Sequence, residues 1–566
     1  MPAPEPRAGG SPVRRGAITG FWLGALAGGL LAHGLLRVNG LGVDAVSFLK
    51  LLGLLAAVYG AAGLLAGAIA GPLARAAAGG GRSGGALTAR RLPRASVVAG
   101  VLAAAFAVTA AAGVAASLLR NPEPPLALDP APAGLPRVLL IGIDGLDWKI
   151  TGRLIAAGEM PNLAALGDRG FAAPLKTFRP TLSPLIWNSI ASGVKPERHG
   201  VEGFAANRIS GVDASFVKLV PHAGLGPVLA GLQKAGLARL VPIGSDMCHV
   251  PRIWDVAGAA GRRVATVNWW ATWPADPVNG WLVTDRFYYF RDLGMGKERV
   301  ADEFGTVFPA DALQEFSLLR VSPGALTHDQ IRRFLDLNDD EIDALGRGPY
   351  RFQLVDSEFP FLLSMDETYR RIGLRILGDP KPPDLAAFYF RGVDILSHAA
   401  LCYSELSGDT SGQPEEMRRK YGAAVRRYYA YTDELVGELI EAAGPETTVL
   451  LVSDHGFEKQ ENGVCGHDDA PPGVIFGGGG LIRQGGDAKG ATVYDVAPTV
   501  LYLAGAPVAD DLPGQVLSGI VQPDHWTMLP PREIPTFGRR VERAGGSLGE
   551  QDEEYLQRLR ALGYIK

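Results

Sequence analysis

Three long apolar stretches dominate the first part of the chain, at Ile18–Leu36, Leu51–Ala74 and Ala95–Leu119. Each runs for about 19 residues or more without an internal charge, which as a helix crosses a hydrocarbon core of about 30 Å. A cleaved signal peptide followed by alanine-rich soluble helices is the alternative, but a signal peptide accounts for one apolar core and not for three. The pattern therefore predicts a membrane anchor over residues 1–120 with three transmembrane helices, at about 18–36, 51–74 and 95–119.

Basic residues are unevenly placed around these stretches. The N-terminal flank and the second loop carry Arg7, Arg14, Arg15, Arg75, Arg82, Arg90, Arg91 and Arg94. The first loop and the segment after the third stretch carry only Arg37, Lys50 and Arg120. Because positively charged loops stay in the cytoplasm, we expect a multi-pass inner-membrane protein. Its N-terminus is expected inside the cell, and everything after Arg120 on the periplasmic or extracellular side.

The pattern changes after residue 120. A proline-rich segment, residues 121–136, predicts an extended linker. Short apolar runs then predict strands at Val138–Ile143, Arg263–Val267, Leu385–Arg391 and Thr447–Val452. Helices are expected at Trp148–Ala157, at Pro161–Gly170 and within Pro414–Ala443. Continuous apolar strands separated by helices are typical of a mostly parallel sheet covered on both faces. Residues 137–525 are therefore expected to form an α/β domain, with a C-terminal tail at 526–566.

The charge balance restricts the partners. The chain of 566 residues holds 59 acidic and 55 basic side chains, but the first 120 residues hold only two of the acidic and eleven of the basic ones. The remaining part is therefore net acidic and lacks the basic face that a nucleic-acid polymer requires. The three cysteines, Cys248, Cys402 and Cys465, form no CxxC pair and allow one disulfide at most.

Polar side chains follow three of the predicted strands where each strand ends. They are Asp144 after the first, Asp394 and His398 after the third, Asp454 and His455 after the fourth, and His467 twelve residues later. Each residue alone is more often a helix cap, a turn residue or a packed histidine. Functional groups gather at the carboxyl ends of such strands, however, and carboxylates with imidazoles suit ions of the zinc type. Six ligands are too many for one tetrahedral ion, so the set predicts two divalent metal ions, with zinc expected.

A candidate nucleophile lies in the segment RPTLSPLIWNSIASGVKPERHG, residues 179–200. Pro184 suits the first turn of a helix, so Ser183 is expected at the N-cap. Plain capping is one interpretation of this serine. The other is that its hydroxyl, lowered in pKa by a neighbouring metal ion, acts as the nucleophile.

The order of these motifs resembles the alkaline phosphatase superfamily, and most closely its type I phosphodiesterase/nucleotide pyrophosphatase branch. The matching pieces, over roughly Pro136–Ser518, are IGIDG, PTLSPLIWNSIASGVKPERHG, GVDILSH, VSDHGF, CGHDDAPPGVIFGGGG and YDVAPTVLYLAGAPVADDLPG. The resemblance implies an alkaline-phosphatase-like sheet flanked by helices. It also implies one zinc ion at Asp394, His398 and His467, and another at Asp144, Asp454 and His455, with Ser183 as the nucleophile bridging toward the second ion. His199 matches a family residue that looks structural.

The chain departs from the family pattern at the nucleophile loop. Ser183 stands where nucleotide pyrophosphatases usually have threonine, which is chemically tolerable. The asparagine expected three residues later is Ile186 here, and Asn188 or Thr181 are the candidates to replace it, so nucleotide specificity stays open. The sulfatase pattern C/S-x-P-x-R is absent, because Pro184 follows Ser183 directly.

The region within about 203–383 is too long for one crossover connection. Its aromatic segments, Phe287–Phe290 and Phe352–Phe361, favour a cap insertion over the site, with ordinary packing as the alternative. The complete pattern predicts a membrane-tethered two-zinc phosphohydrolase that cleaves a phosphodiester or pyrophosphate bond through a phosphoseryl intermediate. The expected substrate is a phosphoester, from a lipid or a nucleotide. A phosphotransferase that moves a lipid headgroup phosphate, or a non-catalytic binding module that keeps the fold, are the alternatives.

Overall fold

The computed structural model describes residues 126–209, 233–234, 236, 238–288, 305–347, 354–460, 463–469, 471–540 and 556. The three apolar stretches, and the arginines that set their orientation, lie outside these residues, so the membrane anchor stays a prediction. Within the described part of the chain, no helix combines the length and the hydrophobicity needed to cross a bilayer.

The chain divides into two compact units. One comprises residues 1–122 and 206–241. Its described residues contribute most of the two-stranded sheet formed by Ala205–Ile209 and Ala238–Pro242. The other comprises residues 123–205 and 242–566 and contains the predicted α/β domain.

The elements alternate along the chain as the sequence predicts. The strands are β1 (Val138–Ile143), β2 (Gly170–Leu175), β3 (Ala205–Ile209), β4 (Ala238–Pro242), β5 (Val264–Val267), β6 (Gly280–Val283), β7 (Val307–Phe308), β8 (Leu385–Phe390), β9 (Thr448–Val452), β10 (Glu458–Lys459), β11 (Cys465–Gly466), β12 (Gly473–Gly478), β13 (Val508–Ala509) and β14 (Glu533–Ile534). The α-helices are α1 (Trp148–Ala156), α2 (Pro161–Asp168), α3 (Ser183–Ser192), α4 (Pro196–His199), α5 (Ile253–Ala259), α6 (Ala312–Ser317), α7 (His328–Arg332), α8 (Asp339–Ala344), α9 (Val355–Leu377), α10 (Gly392–Ala400), α11 (Glu415–Tyr421), α12 (Ala424–Ala443), α13 (Val496–Leu503) and α14 (Pro523–Met528).

The central sheet has the strand order β2-β12-β9-β1-β8-β5-β6-β7. The five strands from β9 to β6 pair in parallel, whereas β12 and β7 run antiparallel to their neighbours. All six residues of β1 are buried, as expected for a strand covered on both faces. The mostly parallel α/β sheet is therefore confirmed, and the four strands predicted from apolar runs are present to within one residue at each end.

The helix expected within Pro414–Ala443 is two helices, α11 and α12. They are separated at Gly422 and Ala423, and glycine is among the weakest helix formers. The shorter predicted helices at Trp148 and Pro161 are present. Asp147 begins the first of these, since its Oδ1 accepts hydrogen bonds of 2.8 Å from the backbone N–H groups of Lys149 and Ile150.

The described part of the 203–383 region builds the core of the domain. It supplies β5 and β6 to the sheet and the long helix α9, which packs against α10 and α12. The aromatic side chains of Phe287, Tyr288 and Phe359 are fully buried in this packing. Residues 210–232, 289–304 and 348–353 lie outside the description, so the cap over the site stays a prediction.

The second half of the proline-rich segment contacts the domain. Ala131 N–H donates to Ala260 O at 2.9 Å, and Arg262 Nη2 donates to Pro132 O at 3.1 Å. These contacts lie just before β1, at the amino end of the central strands. The segment therefore contacts the domain at the amino ends of the central strands, opposite to their carboxyl ends.

Candidate active site

Three neighbouring strands, β8, β1 and β9, deliver the predicted ligands to one edge of the sheet. Asp144 directly follows β1, and Asp454 and His455 come just after β9. Asp394 lies in the first turn of α10, the helix that follows β8. Because these strands are parallel and adjacent, their carboxyl ends meet and bring the side chains together.

The first group of ligand atoms belongs to Asp144, Asp454 and His455. His455 Nε2 lies 3.5 Å from Asp144 Oδ1 and 3.3 Å from Asp454 Oδ2. All three side chains are buried, and one ligand atom of each lies within 4.8 Å of the others. Gly145, in the left-handed conformation with φ of 71°, turns the chain here and donates its N–H to Asp454 Oδ1 at 3.2 Å.

The second group consists of Asp394, His455 and His467, again with ligand atoms within 4.8 Å of one another. His455 is therefore common to both groups, whereas the sequence assigned it to one ion only. His398, expected in this group, has its Nε2 3.6 Å from Asp394 Oδ1, and His467 Nε2 lies 3.8 Å from the same oxygen. The structure thus brings all six predicted ligands to one place.

Burial controls the electrostatics of this cluster. Desolvation raises the pKa of Asp144, Asp394 and Asp454, and the Asp144 charge raises the pKa of the other two further. Desolvation also lowers the pKa of His398 and His455 well below the ordinary value, and that of His467 to about 4. The imidazoles are therefore neutral at physiological pH, which is the form that binds metal ions.

The cluster fits divalent metal ions. Asp394 Oδ1, Asp454 Oδ2 and His455 Nε2 are buried and make no hydrogen bond within the described structure. Buried polar atoms normally have a partner, and these three point into the two ligand groups. Carboxylate oxygens and imidazole nitrogens are the donors that zinc accepts. The residues present therefore suit two ions of this type.

Ser183 lies beside the first ligand group. It is the first residue of α3, and Leu182 is the N-cap, so the serine is one residue inside the helix and the expected N-cap position is wrong by one. Its side-chain Oγ donates to Asp144 Oδ1 at 3.3 Å. Pro184 occupies the first turn, as expected.

The two candidates for the missing asparagine differ in position. Asn188 is fully buried, and its Nδ2 donates to Pro184 O at 2.9 Å and Trp270 O at 3.4 Å, so the amide is engaged by the backbone. Thr181 Oγ1 donates to the carbonyl oxygen of His467 and so lies beside a ligand loop. Thr181 is therefore the better placed of the two.

His199 is held inside the protein on both ring nitrogens. Its Nε2 lies 3.1 Å from Ser189 Oγ and 3.2 Å from Leu185 O, and Nδ1 accepts from Val201 N–H at 3.1 Å. These contacts support the structural role that the sequence resemblance implies for it.

Sequence reasoning missed a set of polar residues beneath the ligands. Tyr389 O–H donates to Asp144 Oδ2, and Trp270 Nε1 donates to the Tyr389 hydroxyl at 2.8 Å. Arg391 donates from Nη2 to Asn268 Oδ1 at 2.9 Å and lies 4.3 Å from the Trp270 ring centroid. Asn268 and Arg391 directly follow β5 and β8, so the rule that identified the ligands also applied to these two.

The mostly parallel central sheet fits an alkaline-phosphatase-like α/β fold. The sequence model of the type I phosphodiesterase/nucleotide pyrophosphatase family matches residues 138–485, more than half of the chain. The chain belongs to this family of phosphoester hydrolases, and the resemblance predicted from its motifs is confirmed. No curated protein matches the sequence.

Several solved structures are similar to this chain at low sequence identity. A putative sulfatase from Bacteroides thetaiotaomicron is 15% identical with a TM-score of 0.39, over 69% of this chain and 75% of its own. Murine ectonucleotide pyrophosphatase/phosphodiesterase 5 is 11% identical with a TM-score of 0.37, over 67% of this chain and 97% of its own. Phosphonoacetate hydrolase from Sinorhizobium meliloti is 16% identical with a TM-score of 0.32, over 58% and 59%. The assignment rests on the family match and not on these likenesses.

Proposed function

We propose that this chain is a membrane-tethered phosphohydrolase that uses two zinc ions to cleave phosphodiester or pyrophosphate bonds. The observation that carries the proposal is the cluster of six buried or nearly buried Asp and His ligands beside a buried serine, with Ser183 Oγ 3.3 Å from Asp144 Oδ1. Family membership supports phosphoester hydrolysis as the reaction.

Ser183 is the nucleophile in this proposal. As the bond from its Oγ to phosphorus forms, the bond from phosphorus to the leaving oxygen breaks. The hydroxyl proton, held in the hydrogen bond to Asp144 Oδ1, passes to the leaving oxygen, so the carboxylate is unchanged at the end of the step. Water then attacks the phosphoseryl phosphorus and breaks the Oγ–P bond. One proton of that water restores the serine hydroxyl, and the phosphate product leaves.

The ligand residues hold the ions in position. Bound divalent ions lower the serine pKa and offset negative charge on the phosphoryl oxygens. The protein contributes neutral imidazoles and three closely spaced carboxylates, which together favour cations at this edge of the sheet. The site therefore suits a negatively charged phosphoester from a nucleotide or a lipid.

The proposed location is the outer side of the inner membrane. The arginine asymmetry around residues 18–119 supports this orientation. The disulfide between Cys402 and Cys465 also supports it, because such bonds persist in oxidising compartments and are rare in the cytosol.

Elemental analysis of the purified full-length protein tests the metal site. We expect two zinc ions per chain, with loss of phosphoester hydrolysis on chelation and recovery on adding zinc. His455→Ala should lose both ions because His455 belongs to both ligand groups, whereas His398→Ala should lose one. His525→Ala, on α14, is the control that should keep both. A folded protein that binds no ion, or a His455→Ala variant that keeps two, contradicts the proposal.

A substrate panel tests the reaction. Phosphodiesters, pyrophosphates, phosphomonoesters and sulfate esters are compared at matched concentrations, with and without an added alcohol. Hydrolysis of diesters or pyrophosphates that does not depend on the alcohol supports the proposal. A product that carries the alcohol in place of water indicates phosphotransfer.

A further inference from the structure

A disulfide lies next to the second ligand group. Cys402 and Cys465 are bonded, with Cα atoms 5.5 Å apart and a sequence separation of 63 residues. Cys402 is in the short turn Leu401–Tyr403 that continues α10, four residues after His398. Cys465 is in β11, and His467 follows two residues later. The bond therefore links the two segments that carry Asp394, His398 and His467.

The two ligand groups differ in what holds them. Asp144, Asp454 and His455 follow β1 and β9, which both lie inside the central sheet. His467 instead follows β11, whose partner in the described structure is β10, in a separate two-stranded sheet. Ligands that extend directly from a wide sheet are better fixed than ligands on a short hairpin. The second group is the one that needs additional support.

Small displacements of this hairpin would change the second group directly. His398 and His467 have ring centroids 4.8 Å apart, and their Nε2 atoms lie 3.6 and 3.8 Å from the same Asp394 oxygen. A metal site tolerates displacements of only about 0.2 Å in its ligand distances. Beyond the disulfide, the His467 loop is held by the hydrogen bond from Thr181 Oγ1 to the His467 carbonyl oxygen. The ion pair between Arg179 and Asp469, which lies two residues after His467, is largely exposed, and exposed ion pairs contribute little to stability.

We propose that the Cys402–Cys465 disulfide is a positioning crosslink for the metal ion at Asp394 and His467. This inference rests on the proposed two-metal site. Removing the bond weakens the affinity for this one ion by about 10- to 100-fold, the range seen when groups that support ligands are lost. The ion at Asp144 and Asp454 keeps its affinity, because both ligands are fixed by the central sheet.

The test compares the Cys402→Ala/Cys465→Ala double variant of the full-length protein with wild type and with Cys248→Ala. Cys248 is buried and forms no disulfide, so its variant controls for the loss of a cysteine. Zinc per chain is measured by elemental analysis, and the two affinities by competition with a chelator. Circular dichroism confirms that each protein is folded. Wild type reduced with a phosphine, with the free thiols counted, provides a second route if the double variant does not fold.

The expected result is one tight ion in the double variant and two in both wild type and Cys248→Ala. Two ions with unchanged affinities in the folded, disulfide-free protein overturn the inference. Equal weakening of both ions overturns it too, because the bond would then act on the whole domain. A wild-type protein without ions contradicts the proposed function itself, which separates the two failures.

Discussion

Tyr389 donates its hydroxyl hydrogen to Oδ2 of Asp144, the carboxylate whose other oxygen accepts from Ser183. The tyrosine hydroxyl in turn accepts a hydrogen bond of 2.8 Å from Trp270 Nε1. One proposed metal ligand is therefore fixed on both oxygens, on one side by the nucleophile and on the other by a chain of buried aromatic side chains. Such support orients a ligand and commonly affects metal affinity.

Replacing Tyr389 with Phe should weaken the ion at Asp144 while preserving the fold. The change keeps the buried ring and removes two hydrogen bonds, one to Asp144 Oδ2 and one from Trp270 Nε1. We therefore expect metal affinity to fall by about 10- to 100-fold. Chelator competition measures this, with kcat determined at saturating zinc. Tyr502→Phe is the matched control, because its hydroxyl bonds to Leu529 O at 2.9 Å and contacts no ligand residue. Equal metal affinity in the two variants contradicts the prediction.

Ser183→Ala should remove most turnover while both ions remain bound. Loss of the nucleophile should raise the barrier by several kcal/mol, on the order of a thousandfold or more in rate. Thr181→Ala is the comparison, since its hydroxyl bonds to the His467 carbonyl and lies two residues earlier. We expect a milder loss there. Acid quenching during turnover should trap phosphate on Ser183. A near-normal rate in Ser183→Ala with an inactive Thr181→Ala would move the nucleophile to Thr181.

The sequence predicted the central strands and the six ligands because both depend on local signals. A buried parallel strand is a continuous apolar run, and an acidic residue or histidine directly after it is visible without knowing the neighbours. The predictions for Asp144, Asp454 and His455 therefore needed only the assumption that strand ends converge, whereas His398 and His467 lie farther along the chain from the predicted strands. Ser183 was identified by its proline, although its exact helix position could not be read because boundaries depend on backbone geometry.

Two of the supporting residues, Tyr389 and Trp270, could not be assigned in the same way. Trp270 reaches Tyr389 only because β5 pairs directly with β8, and that strand order is a property of the folded sheet. The disulfide was equally open, since three cysteines allow three pairings and nothing in their spacing selects one. Contacts between distant segments thus required the structure, whereas residues at strand ends did not.

Asp366 should make the metal-free protein less stable as the pH rises. This carboxylate lies on α9, and its Oδ2 accepts hydrogen bonds from Tyr428 O–H at 2.8 Å and Gly392 N–H at 3.1 Å. Burial raises its pKa from 3.8 to about 6. Because the folded-state pKa is raised, protonated Asp366 stabilises the folded protein, fully below about pH 4. This stabilisation is lost as the pH rises through 6, and the loss in the free energy of unfolding is about 3 kcal/mol.

Asp366→Asn should remove this contribution. The free energy of unfolding is measured by denaturant titration at pH 4 and pH 7 in chelator, for wild type and variant. Between these values, wild type should lose about 3 kcal/mol relative to the asparagine variant. Asp524→Asn, at an exposed position on α14, should follow wild type. If the free energies of unfolding of wild type and Asp366→Asn change equally between pH 4 and pH 7, the raised pKa of Asp366 is contradicted.

The catalytic domain should be found outside the cytoplasm. A reporter that is active only after export, fused after Pro136, should be active, and the same reporter fused at Gly80 should be silent, because the arginine-rich second loop stays inside. The disulfide gives an independent measurement in intact cells. Cys402 and Cys465 should resist thiol alkylation until a reductant is added, whereas cytosolic thiols are kept reduced. Reversed reporter activities, together with freely alkylated Cys402 and Cys465, would place the domain in the cytoplasm. Active export with reduced cysteines would instead retain the orientation and reject the crosslink.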